Sequence, residues 1–168
     1  MTETPTPTGT VAAGERGPEV RFTRRFDADI RDVWAALTEP ERLVRWIGRW
    51  EGDPSTGTIT FFMTAEGDDV AGEEYTIREC FPPHRFSADT RVGEQAWHLR
   101  FELAQHGGTT TLVFAQLLAD DDMSNVGPGW EYYLDRLAAS LGGRDVADVD
   151  WDDYMPGMRD YYAALVAG

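Results

Sequence analysis

Five consecutive stretches that alternate apolar and polar residues, followed by one long helical stripe, constrain this chain more than any other feature. The stretches are "GTITFFMTA" (57–65), "GEEYTIREC" (72–80), "RFSADTRV" (85–92), "AWHLRFELA" (96–104) and "TTTLVFAQLL" (109–118), each bounded by glycine, proline or acidic turn residues. In the fourth, Trp97, Leu99, Phe101 and Leu103 share one face and His98, Arg100 and Glu102 the other, which is the period of a half-buried strand. "QHGGTTT" reads as a hairpin, because Gly107 and Gly108 can take positive φ at no steric cost. An acidic loop, "ADDDMSNV", comes next, with Asp120, Asp121 and Asp122 as a solvated turn. A helix is then predicted from near Pro128, with Trp130, Tyr133, Leu134, Leu137, Ala138 and Leu141 on one stripe and Gly142–Gly143 as a left-handed stop.

Ahead of these strands, "VRFTRRF" (20–26) alternates, with Val20, Phe22 and Phe26 on one side. The period then changes: Ile30, Val33, Trp34 and Leu37 form a short amphipathic helix with Asp29 as its N-cap. "TEPE" (38–41) starts a second helix, Pro40 being tolerated in a first turn. An antiparallel sheet with helices gathered at one side is α+β, and a curved sheet wrapped round the last helix leaves a hollow suited to a small molecule. A chain of 168 residues suits a single core. The predicted division is a disordered tail over 1–18, a domain over 19–143, and an acidic extension over 144–168 with a short docking helix after Pro156.

The formal net charge of -15, with no cluster of basic residues, argues against binding to nucleic acid or to an anionic membrane surface. No stretch reaches the 18 or so consecutive apolar residues of a membrane span. The single cysteine, Cys80, has no partner for a disulfide, so a cytoplasmic location is expected.

Chemical motifs are sparse. His84, His98 and His106 lie at no metal-ligand spacing, and "DVDWDD" (148–153) lacks the turn glycine of a calcium loop, so neither a metal nor a cofactor is expected. Cys80 reads as a small buried hydrophobe. No phosphate loop, nucleophile elbow or HExxH motif occurs.

"FDADIRDVWAALTEPERLVRWI" resembles the opening signature of the Aha-type proteins, homologues of the activator of the heat-shock protein 90 ATPase, within the START-like (SRPBCC) helix-grip superfamily. "GEEYTIRECFPPHRFSADT", "GGTTTLVFAQLL" and "GPGWEYYLDRLAASL" are similar to its central strand pair, sixth strand and closing helix, and the ending is similar to tails of some bacterial members. The resemblance spans Val20 to Leu141. It implies a curved antiparallel sheet of about six strands around a long C-terminal helix. One departure is "DPSTGT", which has a single glycine, Gly57, where members commonly have two. Chaperone activation belongs to members with an extra N-terminal domain and is not carried over.

The leading functional expectation is a domain that binds a small hydrophobic or aromatic ligand between sheet and helix, in stress response or regulation. Trp46, Phe61, Met63, Tyr75, Trp97, Phe101, Met123, Trp130 and Tyr133 are its expected wall, because Trp and Tyr put a polar tip on an apolar body. No catalytic residue is assigned. A polyketide cyclase-like enzyme is the alternative, with Glu73, Tyr75, Arg100 and Tyr133 as its polar groups, although Arg100 shares a strand face with His98 and Glu102 and is expected in solvent. A co-chaperone-like module docking a protein partner is the third. Two or more ionisable groups converging on the hollow would favour the enzyme.

Overall fold

The computed structural model describes residues 4–67, 70–118 and 123–167. Eight strands form one sheet: β1 Thr10–Gly14, β2 Gly17–Phe26, β3 Arg49–Glu51, β4 Thr58–Phe62, β5 Glu73–Phe81, β6 Arg85–Val92, β7 Gln95–His106 and β8 Thr109–Leu117. Their order is β1-β2-β8-β7-β6-β5-β4-β3, and every neighbouring pair is antiparallel. The four helices are α1 Ile30–Thr38, α2 Pro40–Leu43, α3 Met123–Leu141 and α4 Arg159–Ala167. This is the α+β helix-grip fold.

Alternation sets which way each strand faces. Val20, Phe22, Leu99, Phe101, Leu103, Leu112 and Phe114 turn inward and are buried against α1 and α3. Gly107 turns the β7–β8 hairpin at φ +62. Asp29 accepts from the Arg31 amide as the α1 cap, and Pro40 opens α2. Gly143, at φ +71, ends α3, and the Arg144 amide reaches back to the Ala139 carbonyl.

Three sequence expectations need correction. The sheet has eight strands, not about six, because β3 is three residues long and too short for a period to show. Residues 10–18 are not a tail: Thr10–Gly14 pairs with β2 as an edge strand, its small side chains giving no apolar pattern. The helix α3 starts at Met123, a turn before Pro128; the proline forgoes a single amide bond and the helix runs through it. The acidic turn Asp120–Asp122 lies outside the described residues.

A β-bulge in β5 sets the far end of the sheet. The register shifts between Ile77 and Glu79, so that Ile77 and Cys80 pair with the inward residues Ala88 and Phe86 while Phe81 pairs with Arg85 and is exposed. Cys80 is therefore exposed at the sheet margin and not a buried hydrophobe.

The C-terminal segment packs on the back of α3. Tyr154, Met158 and Tyr162 are buried, and Tyr162 lies against Gly127, where a Cβ would come within 2.3 Å of its ring. Glu131, 1% exposed, accepts from Arg24 (2.8 Å), the Tyr162 hydroxyl (2.7 Å) and the Thr8 amide and hydroxyl (2.5 Å each). One carboxylate on α3 thus fastens β2, α4 and the N-terminal segment together.

Candidate functional site

Between α1, α2 and the sheet lies an apolar hollow of about 240 Å³. Its walls have separate origins. Trp46 and Trp50 donate their indole N–H groups to the carbonyls of Ala36 (2.8 Å) and Thr38 (2.7 Å) at the C-terminal end of α1. Their polar atoms are thereby satisfied and their rings are left for the hollow. From the sheet come Ile59, Phe61, Tyr75, Ile77, Phe86 and Phe101, with the Phe86 and Phe101 rings stacked at 5.4 Å.

A second hollow, of about 450 Å³, is lined in part by the same Met63, Tyr75 and Trp130. We term it the mouth. Here α3 contributes Trp130, Tyr132 and Tyr133, β7 contributes Trp97, and the C-terminal extension contributes Trp151, whose ring meets Tyr132 edge-on at 5.3 Å. The Trp130 ring packs on Phe114 at 4.5 Å and its N–H donates to Gln116 Oε1 at 2.7 Å. Gln116 is fully buried, and its Nε2 has no hydrogen-bond partner among the described residues.

Glu66, Glu73, Tyr75, Tyr132 and Tyr133 bring ionisable groups to the mouth, with the Asn125 amide beside them. The Tyr133 hydroxyl donates to Glu66 Oε1 at 3.3 Å. Burial, then the neighbouring Glu66, pushes Glu73 above the usual carboxylate range. Burial pushes Tyr75 and Tyr133 up, helped by Glu73 at Tyr75 and by Glu66 at Tyr133. All three groups are biased toward their neutral forms.

Of the nine expected wall residues, Trp46, Phe61 and Phe101 line the inner hollow, Met63, Tyr75 and Trp130 line both, and Trp97 and Tyr133 line the mouth. Met123 lines neither. It is 2% exposed in the first turn of α3, where the helix begins earlier than its sequence suggests. Of the four residues weighed for catalysis, Glu73, Tyr75 and Tyr133 line the mouth. The Arg100 guanidinium instead pairs with Glu19 on the outer face, 18% exposed, and not in open solvent. Glu66 and Trp151 were missed: one sits in a short 3-10 turn and the other in the acidic extension, and neither segment carries a period.

His98, on the outer face, bonds Asp89 at 2.5 Å. Among the described residues no group of three His, Cys, Asp or Glu side chains is arranged to hold a metal ion, and no helix is long and apolar enough to cross a membrane. Although Cys80 is exposed as a residue, partial burial of its thiol against the inner hollow pushes it up, the opposite of nucleophile activation.

Comparison with known proteins locates this architecture. The crystal structure of CalU16 from Micromonospora echinospora superposes with a TM-score of 0.73 at 23% identity, covering 97% of this chain and 98% of that one. A solution structure of the protein encoded by BPP1335 from Bordetella parapertussis gives 0.64 at 22%, over 92% and 95%. DynU16, a protein of the dynemicin biosynthetic locus, gives 0.58 at 19%, over 76% of this chain and 49% of that one. These likenesses concern the fold. No protein of curated function matches the sequence. Residues 27–142 match the family described as activator of Hsp90 ATPase homolog 1-like protein, more than half of the chain, and the protein belongs to that family.

Proposed function

We propose that the protein binds a small hydrophobic or aromatic molecule, its apolar part in the inner hollow and its outer end in the mouth. The observation that carries this reading is a pair of neighbouring hollows that share Met63, Tyr75 and Trp130 in their walls, the inner one walled almost wholly by apolar side chains. An unfilled apolar space costs stability in proportion to its size, so a hollow kept open in a core is held for an occupant. The test is native mass spectrometry of protein purified from its own host, alongside an Ile77→Trp variant that fills the hollow from a half-buried strand position. A co-purifying small molecule on the parent and none on the variant is the expected result. Equal retention by both sinks the reading.

A second reading is enzymatic, and one observation favours it: Glu66, Glu73, Tyr75 and Tyr133 line one mouth. A carboxyl raised by burial is suited to deliver a proton to a bound carbonyl oxygen and to take one back. This reading requires that Glu73→Gln abolish turnover of the bound compound without abolishing its binding. An apolar hollow of about 240 Å³ supports the small-molecule readings over docking of a protein partner.

A further inference from the structure

The charge of the mouth is as informative as its rings. Its lining holds two carboxylates, Glu66 and Glu73, and no arginine. Fifteen basic residues serve this chain, and those near carboxylates elsewhere are paired: Arg24 with Glu131, Arg100 and Arg21 with Glu19, Arg16 and Arg78 with Asp89. Among the described residues neither Glu66 nor Glu73 takes part in an ion pair. Arg136, on the same helix as Tyr133, is occupied on the Trp46 and Val146 carbonyls and over the Tyr132 ring.

A half-dry pocket that brings carboxylates together without a counter-charge is unfavourable unless something positive arrives. The walls suit the same visitor. Trp97, Trp130, Tyr132, Tyr133 and Trp151 present aromatic rings to one space, and ring faces attract ammonium groups while repelling carboxylates and phosphates.

We propose that the molecule bound here carries a protonated amine, seated in the mouth against Glu66, Glu73 and the aromatic walls, while its apolar part fills the inner hollow. This rests on the binding reading above and narrows it to cationic amphiphiles. The upward displacement of the Glu73 carboxyl by burial and then by Glu66 agrees with it, since a bound ammonium would offset the repulsion from Glu66 and pair with the half-buried carboxylate. It also gives the C-terminal extension a task. Trp151 lies beyond the residues matched to the family, 27–142, and supplies one wall of the mouth. The net charge of -15 draws cations toward the whole surface, and the mouth selects among them.

The test uses a matched pair, tryptamine and its neutral counterpart tryptophol, titrated calorimetrically into the full chain at neutral pH. Tryptamine should bind about tenfold more tightly than tryptophol, the step given by one partly desolvated ion pair with ring contacts. The Glu66→Gln/Glu73→Gln double variant should abolish that preference. Trp151→Ala should weaken tryptamine more than tryptophol. Glu66 is exposed and Glu73 half-buried, so the variants should fold, which matched thermal unfolding of parent and variants checks. Equal binding of the two compounds by the parent overturns the amine proposal and leaves the binding reading standing. A preference that survives the double variant overturns its placement. Binding of neither compound overturns both.

Discussion

The Tyr162 hydroxyl of α4 donates to the Glu131 carboxylate of α3 at 2.7 Å, with Tyr162 fully buried and Glu131 1% exposed. Arg24 supplies the compensating charge at 2.8 Å, its own side chain 13% exposed. Removing Glu131 leaves the mostly buried Arg24 with only its longer contact to Asp135, at 3.3 Å, so Glu131→Ala should cost about 3 kcal/mol. Tyr162→Phe, which deletes one neutral donor among several, should cost about 1–2 kcal/mol. Urea unfolding of both variants checks the order; a Tyr162→Phe cost equal to that of Glu131→Ala would show that Arg24 is not relying on the carboxylate.

Two glycines on one helix should behave oppositely. A Cβ on Gly127 meets the Tyr162 ring at 2.3 Å, whereas a Cβ on Gly129 meets nothing within 4 Å. Both positions lie inside α3, where alanine is favoured over glycine by about 1 kcal/mol. Gly129→Ala should therefore raise stability by up to about that amount, while at Gly127 the clash reverses the sign and costs about 1–3 kcal/mol. Thermal melts of the two single variants decide this, and stabilisation by both would mean that α4 yields to α3.

The same helix shows what was legible in the sequence. The inner faces of β7 and β8 could be read because one side of the sheet is dry and the other wet, which writes a period of two into Trp97, Leu99, Phe101 and Leu103. Arg24 falls on the apolar side of β2, and its position makes sense only through Glu131, 107 residues further along. No local pattern carries such a partner. The start of α3 was hidden because Gly127, Pro128 and Gly129 read as a break, when the first glycine is there to admit Tyr162. The sheet-borne aromatic walls Phe61, Tyr75, Trp97 and Phe101 could be named from side-chain type and strand phase, whereas Trp151, in the acidic extension, could not. The mouth carboxylate Glu66 could not, because Thr64–Glu66 forms a short 3-10 turn and the partner of Glu66, Tyr133, comes from α3.

Trp130, in the wall that the two hollows share, forms a coupled pair with Gln116. The indole N–H bonds Gln116 Oε1 at 2.7 Å, while Gln116 Nε2 already lacks a partner among the described residues. Trp130→Phe leaves the buried amide unsatisfied at both ends and should cost about 1–3 kcal/mol beyond the lost ring area. In a Gln116→Met background the same change should lose only the area. The difference between the two costs is the interaction energy, and a double-mutant cycle in urea that returns zero would show that the hydrogen bond contributes nothing.

On the outer face, acid sensitivity should concentrate at Glu19. Burial tends to raise this carboxyl, but hydrogen bonds and charge from Arg100 and Arg21 outweigh burial and hold it below the usual glutamate range. A lowered folded-state value means that the unfolded chain takes up the proton first as pH falls. The stabilisation is therefore fully present above the ordinary glutamate value and is lost as pH drops through the lower folded value. Arg100→Gln removes the principal partner and should be destabilising at pH of about 7, with a cost that shrinks toward pH of about 3, where the protonated Glu19 has less to lose. Asp89, held low by His98, Arg78 and Arg16 against burial, follows the same sign but is untouched by this substitution, so the difference between parent and variant reports the carboxylates that Arg100 pairs with, chiefly buried Glu19 and, at 3.4 Å, the more exposed Glu102. Urea midpoints at the two pH values provide the measurement. A cost that stays constant between them would mean that Arg100 stabilises the sheet by packing and not through the charge on Glu19.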